Sequence, residues 1–262
     1  MQPSAATGRS PLGVAVMCAV ALATAEAVAV GARAEDRVVH TLALQPGQAL
    51  AIAITVGTIR VTGDAGRRDL RLEIVRRAPT VEALAQAPVD LAASPAGPSL
   101  TITQVAGGAD AAISTDVVVS APADVTLDAI TIGEGRLELR RLRGSVSATV
   151  QRGAIEAEDI GGVLRLETTI GPVDVTRARL DAHGLIRLRA FNGDIRLALA
   201  APLTDTRVMA LALNGTISSA VPLTMKDGWG PRWGEATIGR PDRVLSIDVV
   251  TGAIRIEVAG GR

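Results

Sequence analysis

Apolar and polar residues alternate along the later part of the chain in short bursts, each opened by a glycine. The unit reads Gly-x-apolar-polar-apolar and recurs at Gly57, Gly135, Gly144, Gly153, Gly162, Gly171, Gly184, Gly193, Gly215 and Gly252, with the glycines nine residues apart from Gly135 to Gly171. Two positions after each glycine stand Ile59, Leu137, Val146, Ile155, Leu164, Val173, Ile186, Ile195, Ile217 and Ile254. Four positions after come Val61, Leu139, Ala148, Ala157, Leu166, Val175, Leu188, Leu197 and Ile256, and only Ser219 departs. The residue between is always polar, as at Arg60, Glu138, Asp174 and Arg196. Successive side chains on a strand point to opposite sides, so this alternation predicts short strands with one buried and one wet face. The opening glycine suits a corner, where a positive φ costs it nothing; Asn192-Gly193 and Asn214-Gly215 are the clearest such signals.

The expected fold is therefore all-β. Two architectures accommodate short strands at a nine-residue beat: an antiparallel sandwich, and a β-solenoid, or β-helix-like stack, in which about two beats make one turn of a flattened coil. The recurrence of aliphatic residues at the second and fourth offsets favours the solenoid, because equivalent positions stack there about 4.8 Å apart into continuous ladders. Residues 35–132 are less periodic and read as first rungs and cap of the same domain, with the regular repeats in 133–262. Strands are expected at Val38–Leu44, Leu50–Val61, Leu70–Val75, Leu100–Gln104, Asp116–Ser120 and Val125–Ile132. A short helix is expected at Thr80–Gln86, with Thr80 as cap and Val81, Leu84 and Ala85 on one face, and an exposed loop at Ala87–Pro98.

Composition narrows the picture. The apolar share, 48%, is nearly all Ala, Val, Ile and Leu, with no Tyr, Phe191 as the one Phe, and Trp229 and Trp233 as the two Trp. Lys plus Arg balance Asp plus Glu at 27 each, so no net field draws the protein to nucleic acid or to an anionic membrane. The N-terminus reads as a signal peptide, residues 1–34: Arg9, an apolar run from Leu12 to Leu22, then small-residue sites at Ala23-Thr24-Ala25 and Ala32-Arg33-Ala34. Cleavage after Ala34 is preferred; cleavage after Ala25 and retention as an anchor are the alternatives. Nothing later in the chain is long and apolar enough to span a membrane. Cys18 lies inside this segment, so the mature chain carries no thiol; Met17 before it argues against a lipoprotein site.

With these residues in view, the chain resembles the bacterial DUF4097 proteins, the putative-adhesin β-repeat group related to auto-transporter head domains with a Gly-Ile-Asn type motif. The likeness runs over about Val39 to Val258 and rests on the following segments. They are Gly57-Thr58-Ile59-Arg60-Val61, the Asp116–Pro122 segment, the Gly-x-Ile/Val series, Val221-Pro222-Leu223-Thr224 and Thr251–Ile256. The resemblance implies a solenoid-like fold in the cell envelope and adhesion or scaffolding, with no catalytic residues to carry over. Gly171-Pro172 and Ser219 depart from the family's pattern.

Candidate chemistry is sparse. His40 and His183 are far apart, with no nearby Cys, His or acidic cluster to complete a metal site, so no metal or other cofactor is expected. Nucleophile-elbow, phosphate-loop and zinc-helix motifs are absent. Asp174, Arg187, Asp194 and Arg196 could line a polysaccharide-cleaving groove, but outward charges are what any wet strand face carries. Trp229 and Trp233, in a Gly-rich loop, either cover an open core end or present a ligand platform. Asn214-Gly215-Thr216 matches a glycosylation acceptor and reads better as a turn. The expectation is a non-enzymatic exported protein, periplasmic or at the cell surface, serving as adhesin, scaffold or binding module for an envelope protein or glycan. The alternatives are an envelope-stress accessory protein acting through a partner and a polysaccharide-cleaving β-helix enzyme.

Overall fold

The structure, a computed structural model, describes residues 34–44, 47–85, 88–94, 96–102, 113–182, 184–226 and 230–259. Residues 1–33, which hold all but the last residue of the expected signal peptide, and His183 and Trp229 lie outside the described residues. The chain is all-β apart from one short helix among the described residues. The first part comprises β1 (Ala34–Ala43), β2 (Ala49–Asp64), β3 (Asp69–Ala78), α1 (Val81–Ala85), β4 (Val89–Ser94), β5 (Gly97–Ile102) and β6 (Ser114–Pro122). The repeats form β7 (Thr126–Arg140), β8 (Val146–Glu158), β9 (Leu164–Ile170), β10 (Val173–Ala178), β11 (Leu185–Asn192) and β12 (Ile195–Leu199). The chain ends with β13 (Thr206–Ser219), β14 (Thr224–Lys226), β15 (Arg232–Ile238) and β16 (Arg243–Val258).

Five strands (β2, β7, β8, β13 and β16) run unbroken past a unit glycine, whereas β9/β10 and β11/β12 are interrupted there. Each of these turns thus contributes one segment before the glycine and one after it. The segments before it pair in parallel as β2-β7-β8-β9-β11-β16-β13, the first wall. The segments after it pair in parallel as β2-β7-β8-β10-β12-β16-β13, the second wall. Because β8 and β16 belong to both walls, the pairings β8-β9-β11-β16-β12-β10 close into a circuit of six parallel strands. The C-terminal strand β16 lies between β12 and β13, so stacking order and chain order part company there.

Register explains the glycine beat. Gly135 pairs with Gly153 and Ile155 with Val173, so the stacking neighbour is two beats away, 18 residues, in these turns. Leu137, Ile155, Val173, Ile195 and Ile254 form one inward row of the second wall, at 0–1% exposure. Val146, Leu164, Ile186 and Leu245 form one inward row of the first wall, and Leu50, Ile59 and Leu137 join the same core. Burial of branched aliphatics in shared rows is what holds strands too short to stand alone.

The two bends between the walls differ. At the first, an added Cβ on Gly135 would overlap the carbonyl oxygen of Gly57, on Gly153 that of Gly135, and so on through Gly171, Gly193, Gly252 and Gly215. Backbone meets backbone there, with φ near 140° at Gly57, Gly135, Gly153, Gly171 and Gly252, so only glycine fits this seam. At the opposite bend, Arg141, Asp159 and Arg177 adopt left-handed φ of 54°, 54° and 52°. Arg143 grips both carboxylate oxygens of Asp159 at 3.0 Å and its main-chain oxygen at 2.6 Å, and Arg179 approaches the same carboxylate at 3.4 Å. Leu142, Ile160 and Ala178 fill the inside of this polar seam.

The ends are finished by antiparallel strands. The second wall continues beyond β2 through parallel β6 and antiparallel β3 and β1; the first continues through the β5/β4 hairpin. β4 and the start of β5 fall within the Ala87–Pro98 stretch read above as a loop; β5 adds in parallel to β2, and its Gly97, at φ 132°, sits where a Cβ would overlap the carbonyl of Ala49. In α1 the Ala83 amide donates to Thr80 Oγ1 at 3.2 Å, but Val81 is exposed, and Ala83 and Leu84 are the buried pair. At the far end β15 and β14 extend the first wall.

Candidate functional site

With the interior filled by aliphatic rows, the surfaces on offer are the outward sides of the walls. On the second wall the outward row after the glycines reads Arg60, Glu138, Glu156, Asp174, Arg196 and Arg255 in stacking order. Arg60 donates to both oxygens of Glu138 at 2.8 and 3.1 Å, Arg136 pairs with Glu156 at 2.7 Å, and Arg196 lies between Asp174 at 3.6 Å and Glu257 at 2.9 Å. Glu138 is the one buried charged residue among those described, at 8% exposure. The hydrogen bond from Arg60 holds its carboxyl below the ordinary range against the opposing effect of burial, and raises the Arg60 guanidinium in turn. Glu257 is likewise held low, first by the Arg196 hydrogen bond.

The first wall presents a different outward surface. Ala51, Ala53 and Thr55 on β2 and Ser147, Thr149 and Gln151 on β8 carry no charge, and β7 between them contributes Asp128; charge becomes dense at Arg165 and Glu167 on β9 and continues at Arg187 and Arg189 on β11. The four groove candidates are therefore not brought together. Asp174 and Arg196 face outward on the second wall, Arg187 faces outward on the first, and Asp194 lies at the glycine seam, where it accepts from the Ala253 amide at 2.7 Å.

The repeat residues lie as follows. Ile59, Leu137, Val146, Ile155, Leu164, Val173, Ile186, Ile195 and Ile254 are buried, whereas Ile217 is half-buried on the last turn, where Ser219 stands in the fourth position. Gly135, Gly153, Gly171, Gly193, Gly215 and Gly252 form the glycine seam, and Gly144 and Gly162 lie at the polar seam, against the backbone of Val125 and Arg143. Trp233 pairs with Leu211 on the outer side of the first wall; its indole N–H donates to Glu235 at 3.4 Å, and Lys226 lies 5.9 Å from its ring centre. Buried Val221 and half-buried Leu223, not Trp233, join the core from the segment after β13. His40 is half-buried on β1 opposite Leu72. No cluster of three or more His, Cys, Asp and Glu suited to a metal occurs among the described residues.

A cleft of about 290 Å³ opens at the polar seam between Arg179, Leu180, Leu199, Pro202, Thr204 and Arg243. Both arginines are engaged, Arg179 with Asp159 and Arg243 with the Thr204 hydroxyl at 3.1 Å. The Arg143–Asp159–Arg179 ladder had no sequence signal, because its members fall in the irregular links between strands. No helix among the described residues is long and apolar enough to cross a membrane.

No family model and no curated protein matches the chain, so the likeness to the DUF4097 proteins rests on the motifs quoted above. Among solved structures, a putative cell adhesion protein from Clostridium sporogenes ATCC 15579 is similar at a TM-score of 0.47 and 11% identity, over 85% of this chain and 99% of that one. A putative adhesin from Bacteroides fragilis NCTC 9343 follows at 0.40 and 12%, over 84% and 96%. A putative adhesin from Parabacteroides distasonis ATCC 8503 stands at 0.25 and 10%, over 84% and 96%. At these scores the resemblance is loose and says nothing of what the present chain binds.

Proposed function

We propose that the protein is a non-enzymatic, exported β-solenoid of the cell envelope that acts as an adhesin or as a periplasmic or surface scaffold. The observation that carries this reading is the in-register parallel stack, with the 18-residue offset that pairs Gly135 with Gly153 and Ile155 with Val173. Such a stack spends its inward side chains on a shared core and leaves two regular outer surfaces free to vary, which is the property a display frame needs. The N-terminal segment from Arg9 to Ala34 supports export. The partner is an envelope protein or glycan.

The test joins location to binding. Fractionation of the native host should place the processed chain in the periplasm or at the surface. The immobilised chain should retain a component of envelope extract without releasing reducing ends from envelope polysaccharide. A chain confined to the cytoplasm, or one that liberates reducing ends, overturns the reading.

A further inference from the structure

The ridge along the glycine seam changes character partway down the stack. In the earlier turns it is charged: Glu134 and Arg152 stand in adjacent strands just before their glycines, 3.7 Å apart. In the later turns the same position holds Ile170, Asn192, Thr251 and Asn214, and Phe191, Val250 and Leu213 form the outward row beside it in three consecutive strands. Ile170, Phe191 and Leu213 are 45%, 61% and 41% exposed, three of the five large hydrophobics left open among the described residues. The acid next to this stretch, Asp194, is occupied with the Ala253 amide.

Behind the apolar row, Arg165 and Arg187 stand directly opposite each other across β9 and β11. Like charges placed so repel. Neither has a carboxylate at ion-pair distance among the described residues, since Glu167 and Asp248 both turn to Arg189, at 3.7 and 3.9 Å. Elsewhere such juxtapositions are neutralised: Arg196 opposes Arg255, and both reach Glu257. The first wall therefore bears an exposed apolar row and, beyond the mutually paired Glu167, Arg189 and Asp248, an uncompensated cation pair.

We propose that this part of the ridge seats on the surface of an anionic phospholipid bilayer. Phe191, Ile170 and Leu213 enter the boundary between headgroups and acyl chains, and Arg165 and Arg187 lie over the phosphates. Arg187 precedes Phe191 by four residues, ~13 Å along a strand, a separation that a long side chain reaching toward the headgroups shortens. Overall neutrality removes long-range steering and leaves contact forces intact, because at physiological salt only charges within about 8 Å count. A soluble polyanion would satisfy the arginines and leave the apolar row in water. The proposal is independent of the adhesin reading.

The test uses the full chain with Cys18→Ser and a nitroxide label at Phe191→Cys or, as reference, at Thr149→Cys on the same wall. On phosphatidylglycerol vesicles the label at 191 should gain access to oxygen and lose access to a water-soluble nickel complex, while the label at 149 keeps its values. Adding Arg165→Gln and Arg187→Gln should weaken the transfer of the 191 label by about thirtyfold, on the basis of the usual contribution of a basic residue near an anionic surface. The comparison of two label positions separates ridge contact from anchoring by the N-terminal segment. A label at 191 that stays as open to nickel as that at 149 overturns the proposal. Shielding by dextran sulfate and not by vesicles assigns the arginines to a soluble polyanion and overturns it equally.

Discussion

The two seams of the stack solve one problem, how to bend a strand back over itself turn after turn, with opposite chemistry. At the glycine seam the backbones of successive turns approach so closely that no side chain fits, and geometry alone dictates the residue. At the polar seam close approach is confined to glycines such as Gly144 and Gly162: between them Arg141, Asp159 and Arg177 take left-handed conformations despite their side chains, and the Arg143–Asp159–Arg179 ladder ties neighbouring turns together. One bend is held by exclusion at every turn, the other by bonding between its glycines. The first should therefore fail abruptly on substitution and the second by degrees.

The sharpest contrast is between two glycines. Gly153→Val puts a β-branched side chain into the carbonyl of Gly135 at φ 140° and should cost more than about 4 kcal/mol or prevent folding. Gly161→Ala meets side-chain atoms and no backbone, Asp181 Oδ2 at 3.1 Å and Arg143 Cδ at 3.2 Å, and should cost no more than about 1–2 kcal/mol in denaturant unfolding. Equal losses at both sites would erase the distinction. Next in size, Asp159→Ala should cost about 1–3 kcal/mol, as the part-buried Arg143 loses its carboxylate partner. Asp159→Asn, which still tolerates the left-handed region, should lose less.

A pair away from both seams provides a pH-dependent reference. Glu138 is held below the ordinary carboxylate range by Arg60, so its contribution is complete above the unfolded value, about 4.3, and fades as pH falls through the folded one. Glu138→Gln should be less stable than wild type by about 1–2 kcal/mol at pH 7, with the gap closing below about pH 4, as read by urea melts. A gap of constant size would remove the ion pair from the account. The smallest effect returns to the polar seam. Arg177→Gly relieves a left-handed φ of 52° and gives up an exposed pair with Glu158, for a net gain of up to about 1 kcal/mol, a rise of about 2–4 °C in Tm.

The inward and outward sides of each strand were legible in the sequence, since alternation records which side chains point to the core. Stacking partners were not. The units at Gly144, Gly162 and Gly184 look like those at Gly135, Gly153 and Gly171, yet they begin segments of the first wall while the latter begin segments of the second. Likewise nothing in Thr251–Ile256 announces that it inserts between β12 and β13, because every turn offers the same aliphatic edge. The β4/β5 hairpin was hidden by Pro98 and small residues, which read as loop until an adjacent edge gives them hydrogen bonds. Trp233 stood out by rarity alone, and rarity does not reveal that its ring is flanked by Lys226 and Glu235.

The late insertion of β16 sets a timetable for synthesis. A chain emerging from its N-terminus can lay down successive turns as far as β12, but β13 has no parallel neighbour until the final stretch from Arg243 to Val258 has arrived. Until then an adhesive edge of β12 and an unattached β13 wait together, the interval in which such chains are open to proteases and to each other. A chain cut before Arg243 therefore leaves behind not a slightly shorter molecule but one whose last two turns never close.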